Sequence, residues 1–75
     1  MIRVDQNEFE RLVKTRSIKP VVFENPDGFV LTSYDAVLIN TQGKIRTFAK
    51  LNSVHNFIKG AGLDSYEVST ESIEV

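Results

Sequence analysis

The chain predicts an α+β domain: an antiparallel sheet of four to five strands with two helices, in the order α-β-β-β-β-α-β. Three observations carry this. Two stretches place apolar residues at helical spacing, Phe9-Leu12-Val13 and Leu51-Val54-Phe57-Ile58. Between them lie short β-prone runs, Val21-Val22-Phe23, Phe29-Val30-Leu31-Thr32 and Val37-Leu38-Ile39. These runs are punctuated by two turn sequences, Asn25-Pro26-Asp27-Gly28 and Asn40-Thr41-Gln42-Gly43.

Each element has a local reason. Asp5 and Glu8 have the spacing of a capping box, and Val4 with Phe9 that of a hydrophobic staple. Glu8 and Glu10 sit early and Lys14 and Arg16 late, as the helix dipole prefers. A helix is expected over about 6–16, stopped ahead of Pro20. The Asn-Pro-Asp-Gly turn then joins two antiparallel strands into a hairpin over about 20–32. A third strand is expected at 37–39. Gly43 suits a left-handed position in the next turn. Lys44-Ile45-Arg46-Thr47-Phe48 alternates with period two, so Ile45 and Thr47 face one way and Lys44, Arg46 and Phe48 the other. The second helix is expected over about 51–60, with Lys50 a poor cap. Gly60-Ala61-Gly62 ends it, and Leu63 is placed to fold back as the apolar residue of the cap. Residues 64–68 read as a short strand, and the tail 70–75 as frayed or as an added edge strand.

At 75 residues the chain is expected to form a single domain, 1–75. A domain of this size buries only roughly 60% of the surface its unfolded chain exposes, so stability is expected to be marginal without oligomerisation. So few residues cannot cover both faces of a sheet, and one face is left to solvent or to another subunit. With no cysteine there is no disulfide and no thiolate metal site. The N-terminus lacks the apolar run of a signal peptide, and no stretch reaches the roughly 20 apolar residues needed to span a bilayer. A soluble, cytoplasmic protein without membrane partners is the default expectation.

Nine Lys plus Arg face ten Asp plus Glu, but unevenly. Residues 11–19 hold Arg11, Lys14, Arg16 and Lys19 with no acid, and residues 44–59 hold Lys44, Arg46, Lys50 and Lys59 with no acid. Residues 60–75 hold Asp64, Glu67, Glu71 and Glu74 with no base. The two basic segments either meet on one face after folding or spread over the surface.

Catalytic and metal chemistry find little footing. His55, the single histidine, borders the apolar stripe of the second helix and has no second imidazole or thiolate beside it in sequence. Ser53 and His55 are two apart on a helix and do not face each other. Asn25, Asp27 and Gly28 begin like a calcium loop, but the later ligand positions are Thr32 and Ala36. Gly60-Ala61-Gly62 lacks the Lys-Ser or Lys-Thr of a phosphate loop. No enzyme, cofactor, metal or small-molecule substrate is expected.

Two binding readings remain. In the first, the protein is a protein-interaction or self-associating accessory module, a dimer through an edge strand or uncovered face. Its interface is anchored by Phe23, Phe29, Tyr34, Phe48 and Tyr66. In the second, it is a DNA- or RNA-binding regulator. The 37–48 hairpin and the start of the second helix would then present Asn40, Gln42, Lys44, Arg46, Lys50 and Lys59 to bases and phosphates. Over 37–60 the order of hairpin, Arg46-Thr47-Phe48 and helix is loosely similar to the sheet-plus-helix DNA-binding module in front of phage-type integrases. That resemblance implies groove contacts from the strand. The near-neutral overall charge departs from such modules.

Overall fold

The computed structural model describes residues 2–16 and 19–72. It is an α+β domain with two helices on a mixed sheet. The elements are β1 (Ile2–Val4), α1 (Gln6–Arg16), β2 (Val21–Asn25), β3 (Gly28–Ser33), β4 (Ala36–Leu38), β5 (Thr47–Phe48), α2 (Leu51–Gly60) and β6 (Glu67–Ser72). The sheet runs β1-β4-β3-β2-β6, with β5 also paired to β3.

Two features lie beyond the sequence expectation. A strand precedes α1, and the β1–β4 and β2–β6 pairings are parallel, the remaining strand pairings being antiparallel. Three residues are too few for alternation to register, and parallel partners meet only after a helical crossover. The last strand also starts later than expected, at Glu67, whose amide donates to the Pro20 carbonyl. Thr70 to Ser72 continue it as an edge strand, while the expectation for 73–75 lies outside the described residues.

The crossovers explain where the helices sit. The β1-α1-β2 and β5-α2-β6 units each join parallel strands, and both step across the sheet in the same direction. Right-handed crossovers running the same way place both helices on one face. The core agrees: Val4, Leu38, Leu31 and Val22 form a cross-strand row beneath Phe9 and Val13 of α1 and Val54 and Ile58 of α2. Phe57 joins α1 to β5 through edge-to-face contacts with Phe9, 6.5 Å between centroids, and Phe48, 5.7 Å.

Residues 37–48 are not a plain hairpin. Thr32 opposes Val37, yet Val30 opposes Thr47, where an uninterrupted pairing would bring Ile39. Residues 39–46 are therefore looped out between two strand segments that both lie along β3. The loop is closed by the Ile39–Ile45 bridge and by Arg46 N–H donating to the Leu38 carbonyl at 3.0 Å. Gly28 makes this possible. Its φ is +141°, and a Cβ there would lie 2.5 Å from the Phe48 carbonyl oxygen, so only glycine lets β5 approach β3 this closely.

The helix ends follow their residues. The Asp5 carboxylate accepts from the Glu8 amide at 2.9 Å. The Glu8 carboxylate bonds the Arg11 guanidinium, and that hydrogen bond, with the attraction between the charges, raises Arg11 above its ordinary value. Lys50 caps α2 with no side-chain hydrogen bond, as its chemistry dictates. At the other end Gly62 adopts φ +79°, with Gly62 N–H donating to the Lys59 carbonyl and Leu63 N–H to the Ile58 carbonyl. This is a Schellman cap, and it fixes the course of the following loop.

Candidate functional site

The residues expected to contact nucleic acid are distributed over the 40–46 loop and the two ends of α2. The Asn40 side-chain oxygen accepts from the amides of Gln42, 2.8 Å, and Lys44, 3.1 Å, so it holds its own turn together. Gln42 and Lys44 are exposed at the loop tip. Arg46 turns to the helix side, its guanidinium carbon 4.8 Å from the Phe48 ring centre and 5.0 Å from that of Phe57. The period-two alternation holds, but the side that carries Arg46 and Phe48 is the one under α2. Arg46 and Asn40 do share an open cavity of about 580 Å³ with Asp5, Gln6, Asn7, Ile39 and Thr41. Lys50 and Lys59 stand at opposite ends of α2, roughly 14 Å apart along its axis.

The five aromatic residues expected at an interface divide as well. Phe48 is a core residue, and Phe29 and Tyr66 pack against the core from its margin. Tyr34 is 78% exposed in the turn between β3 and β4, with a φ of +54° that a tyrosine seldom takes. Phe23 is half-buried and lies on the opposite side of the sheet from the helices.

That helix-free face is the larger feature. One cross-strand row runs Arg3–Val37–Thr32–Val21–Glu67, and the next holds Phe23, Val30 and Thr47. Ile39 and Ile45, both half-buried, pair as a bridge in the looped-out segment. Val30 and Val37 are buried without belonging to the helix-side core. Thr32 is buried too, its hydroxyl donating to the Val21 carbonyl at 3.0 Å. Val21, Phe23, Glu67, Val68 and Ser69 line an open depression of about 310 Å³. The face is thus apolar through its middle, with a cation at the β1 edge and an anion at the β6 edge.

A second surface surrounds residues 62–65. One open cavity of about 660 Å³ is lined by His55, Ile58, Lys59, Gly62, Leu63, Asp64, Ser65 and Tyr66. A second, of about 350 Å³, shares Leu63, Asp64 and Ser65 and adds Val13, Lys14, Lys19 and Pro20. Sequence reasoning did not single out Arg3, Glu67, Lys14, Lys19 or the His55–Tyr66 pair. The acid-free segments 11–19 and 44–59 carried part of that signal, but the loop that joins them was not foreseeable without the fold.

Among the described residues no three His, Cys, Asp or Glu side chains converge as metal ligands. Among the same described residues no helix is long and apolar enough to cross a membrane. Set against family models, curated proteins and solved structures, the chain matches none of them.

Proposed function

We propose that the protein is a non-enzymatic interaction module of the cytoplasm that self-associates as a symmetric dimer, face to face, through the helix-free side of its sheet. One observation carries this. Val21-Val22-Phe23, Phe29-Val30-Leu31 and Ala36-Val37-Leu38-Ile39 are unbroken apolar runs, the pattern of strands covered on both faces, yet both helices pack on one face.

A second copy suits the remaining cover. A two-fold axis parallel to the strands would lay the β1 edge of one copy over the β6 edge of the other. Arg3 would then face Glu67 at both ends of the row, a self-complementary arrangement. The broadest face of the molecule measures 30 × 23 Å, roughly 700 Å² before any relief, close to the roughly 800 Å² per partner of a stable interface. A nucleic-acid contact through 37–48 has less support, because Arg46 is engaged with two rings and Asn40 with its own turn.

Sedimentation equilibrium tests the reading. The unaltered chain should be dimeric at micromolar concentration, and Phe23→Lys should leave a folded monomer. Arg3→Glu or Glu67→Arg alone should weaken the dimer several-fold, and the two together should restore it. A wild-type chain that stays monomeric at every concentration, or a double reversal weaker than either single change, would sink it.

A further inference from the structure

From the surface around residues 62–65 we infer a second binding site, independent of the dimer face, whose ligand is single-stranded nucleic acid. Three lysines distant in sequence meet there. Lys14 comes from α1, Lys19 from the approach to β2, and Lys59 from the last turn of α2. Lys14 and Gly62 are neighbours: a Cβ on Gly62 would lie 3.6 Å from Lys14 Nζ. Gly62 in turn lines the cavity that holds Lys59. All three lysines are exposed, and the one ion pair among the described residues is Arg11–Glu8, so none of the three is neutralised by a carboxylate within that set.

Among the described residues the acids nearby are Asp64, which lines both cavities, and Glu67, which follows Tyr66 in β6. Among the described residues three cations face one lining carboxylate, which leaves the site positive in a chain whose net charge is −1.

Charge alone would suit any polyanion. The rings choose among them. His55 is exposed, Tyr66 is half-buried, and their centroids lie 6.3 Å apart at 63°. Both line the same cavity as Lys59, over a floor of Ile58 and Leu63. Aromatic faces beside lysines are what unpaired bases stack on while phosphates find the cations. A duplex buries its base faces and cannot use the rings, and an acidic peptide has no flat π surface to offer them. The Schellman cap at Gly62 holds the loop, so the site is formed by the fold rather than by the ligand.

Fluorescence anisotropy with a labelled short oligothymidylate, at salt from about 50 mM upward, provides the test on the full chain. The single strand should bind more tightly than a duplex of the same length and than a polyglutamate peptide of equal charge. Lys14→Gln, Lys19→Gln and Lys59→Gln combined should lower the slope of log K against log salt by about 2, at roughly 0.7 per lost phosphate contact. Tyr66→Leu keeps an apolar body at the cavity and should weaken binding roughly tenfold without changing that slope. Circular dichroism melts check that each variant is folded, and Phe23→Lys, altered only at the dimer face, should bind as the wild type does. Absence of binding at the lowest salt, equal binding of duplex or polyglutamate, or an unchanged slope in the triple variant would overturn the inference.

Discussion

Both faces of the sheet carry apolar residues, and they are unequal in what covers them. Leu31 and Val30 are neighbours on β3, both fully buried, and point to opposite sides. Leu31 is held by both helices' core, with Val22 and Leu38 beside it. Val30 lies outside that core, between Phe23 and Thr47 on the strands flanking it. A small domain has residues enough for one helical layer, so the first face is closed within the chain. On the second face Val30, Val37 and Thr32 are already buried within the chain, and cover for the half-buried Val21 and Phe23 beside them is what we assign to another copy. Stability of the first face should depend on sequence alone, and that of the second on protein concentration as well.

The sharpest break of this comparison is Leu31→Ala. Loss of a fully buried leucine costs about 2–5 kcal/mol, against roughly 4–11 kcal/mol expected in total for a chain of this length. Chemical denaturation should show that loss at every protein concentration. The Phe23→Lys variant, by contrast, should lose only the part of the wild-type stability that grows with concentration. Equal, concentration-independent losses from both substitutions would mean that the two faces do not differ in kind.

Gly28→Ala probes the seam where the looped-out segment rejoins the sheet. The added methyl would meet the Phe48 carbonyl at 2.5 Å, in a backbone conformation that alanine disfavours. Backbone strain and overpacking together should cost about 2–4 kcal/mol. The loss should appear as a lower melting temperature and as fast amide exchange at residues 29–30 and 47–48, where β3 and β5 pair. Protection that persists there would show that the seam can yield, and that residues 39–46 are less firmly tied to the sheet than their hydrogen bonds imply.

Both helices were legible in the residues because capping and 3.6-residue periodicity are local. Asp5, Phe9, Leu12 and Val13 mark α1, and Leu51, Val54 and Ile58 mark α2, with Gly62 and Leu63 closing it. The turns at Pro26-Asp27 and at Gly43 were legible for the same reason. What escaped depends on remote partners. Ile2-Arg3-Val4 becomes a strand only because β4 lies beside it, and nothing within three residues encodes that. The eight positions 39–46 read as continuous strand and turn, since alternation does not report which neighbour a strand pairs with. The surface sites suffered most. Arg46 looked free until Phe57 arrived from α2, and whether the basic segments holding Lys14 and Lys59 met or spread stayed open until Gly62 brought them together.

The smallest expected effect concerns Tyr34, at the tip of the turn where Ser33 opposes Ala36. Only the first of its two central residues has positive φ, the signature of a turn whose first position ordinarily takes glycine. Tyrosine is disfavoured there, and with 78% of it exposed the ring recovers little by packing. Tyr34→Gly should therefore stabilise the chain by about 1 kcal/mol, relief of the backbone exceeding the entropy that glycine adds to the unfolded state. A thermal melt run at low concentration, where the monomer dominates, measures this directly. If the substitution destabilises instead, the exposed ring is making a contact worth more than its strain. A loss confined to high concentration would place that contact in the dimer and extend the helix-free interface to the edge of β4.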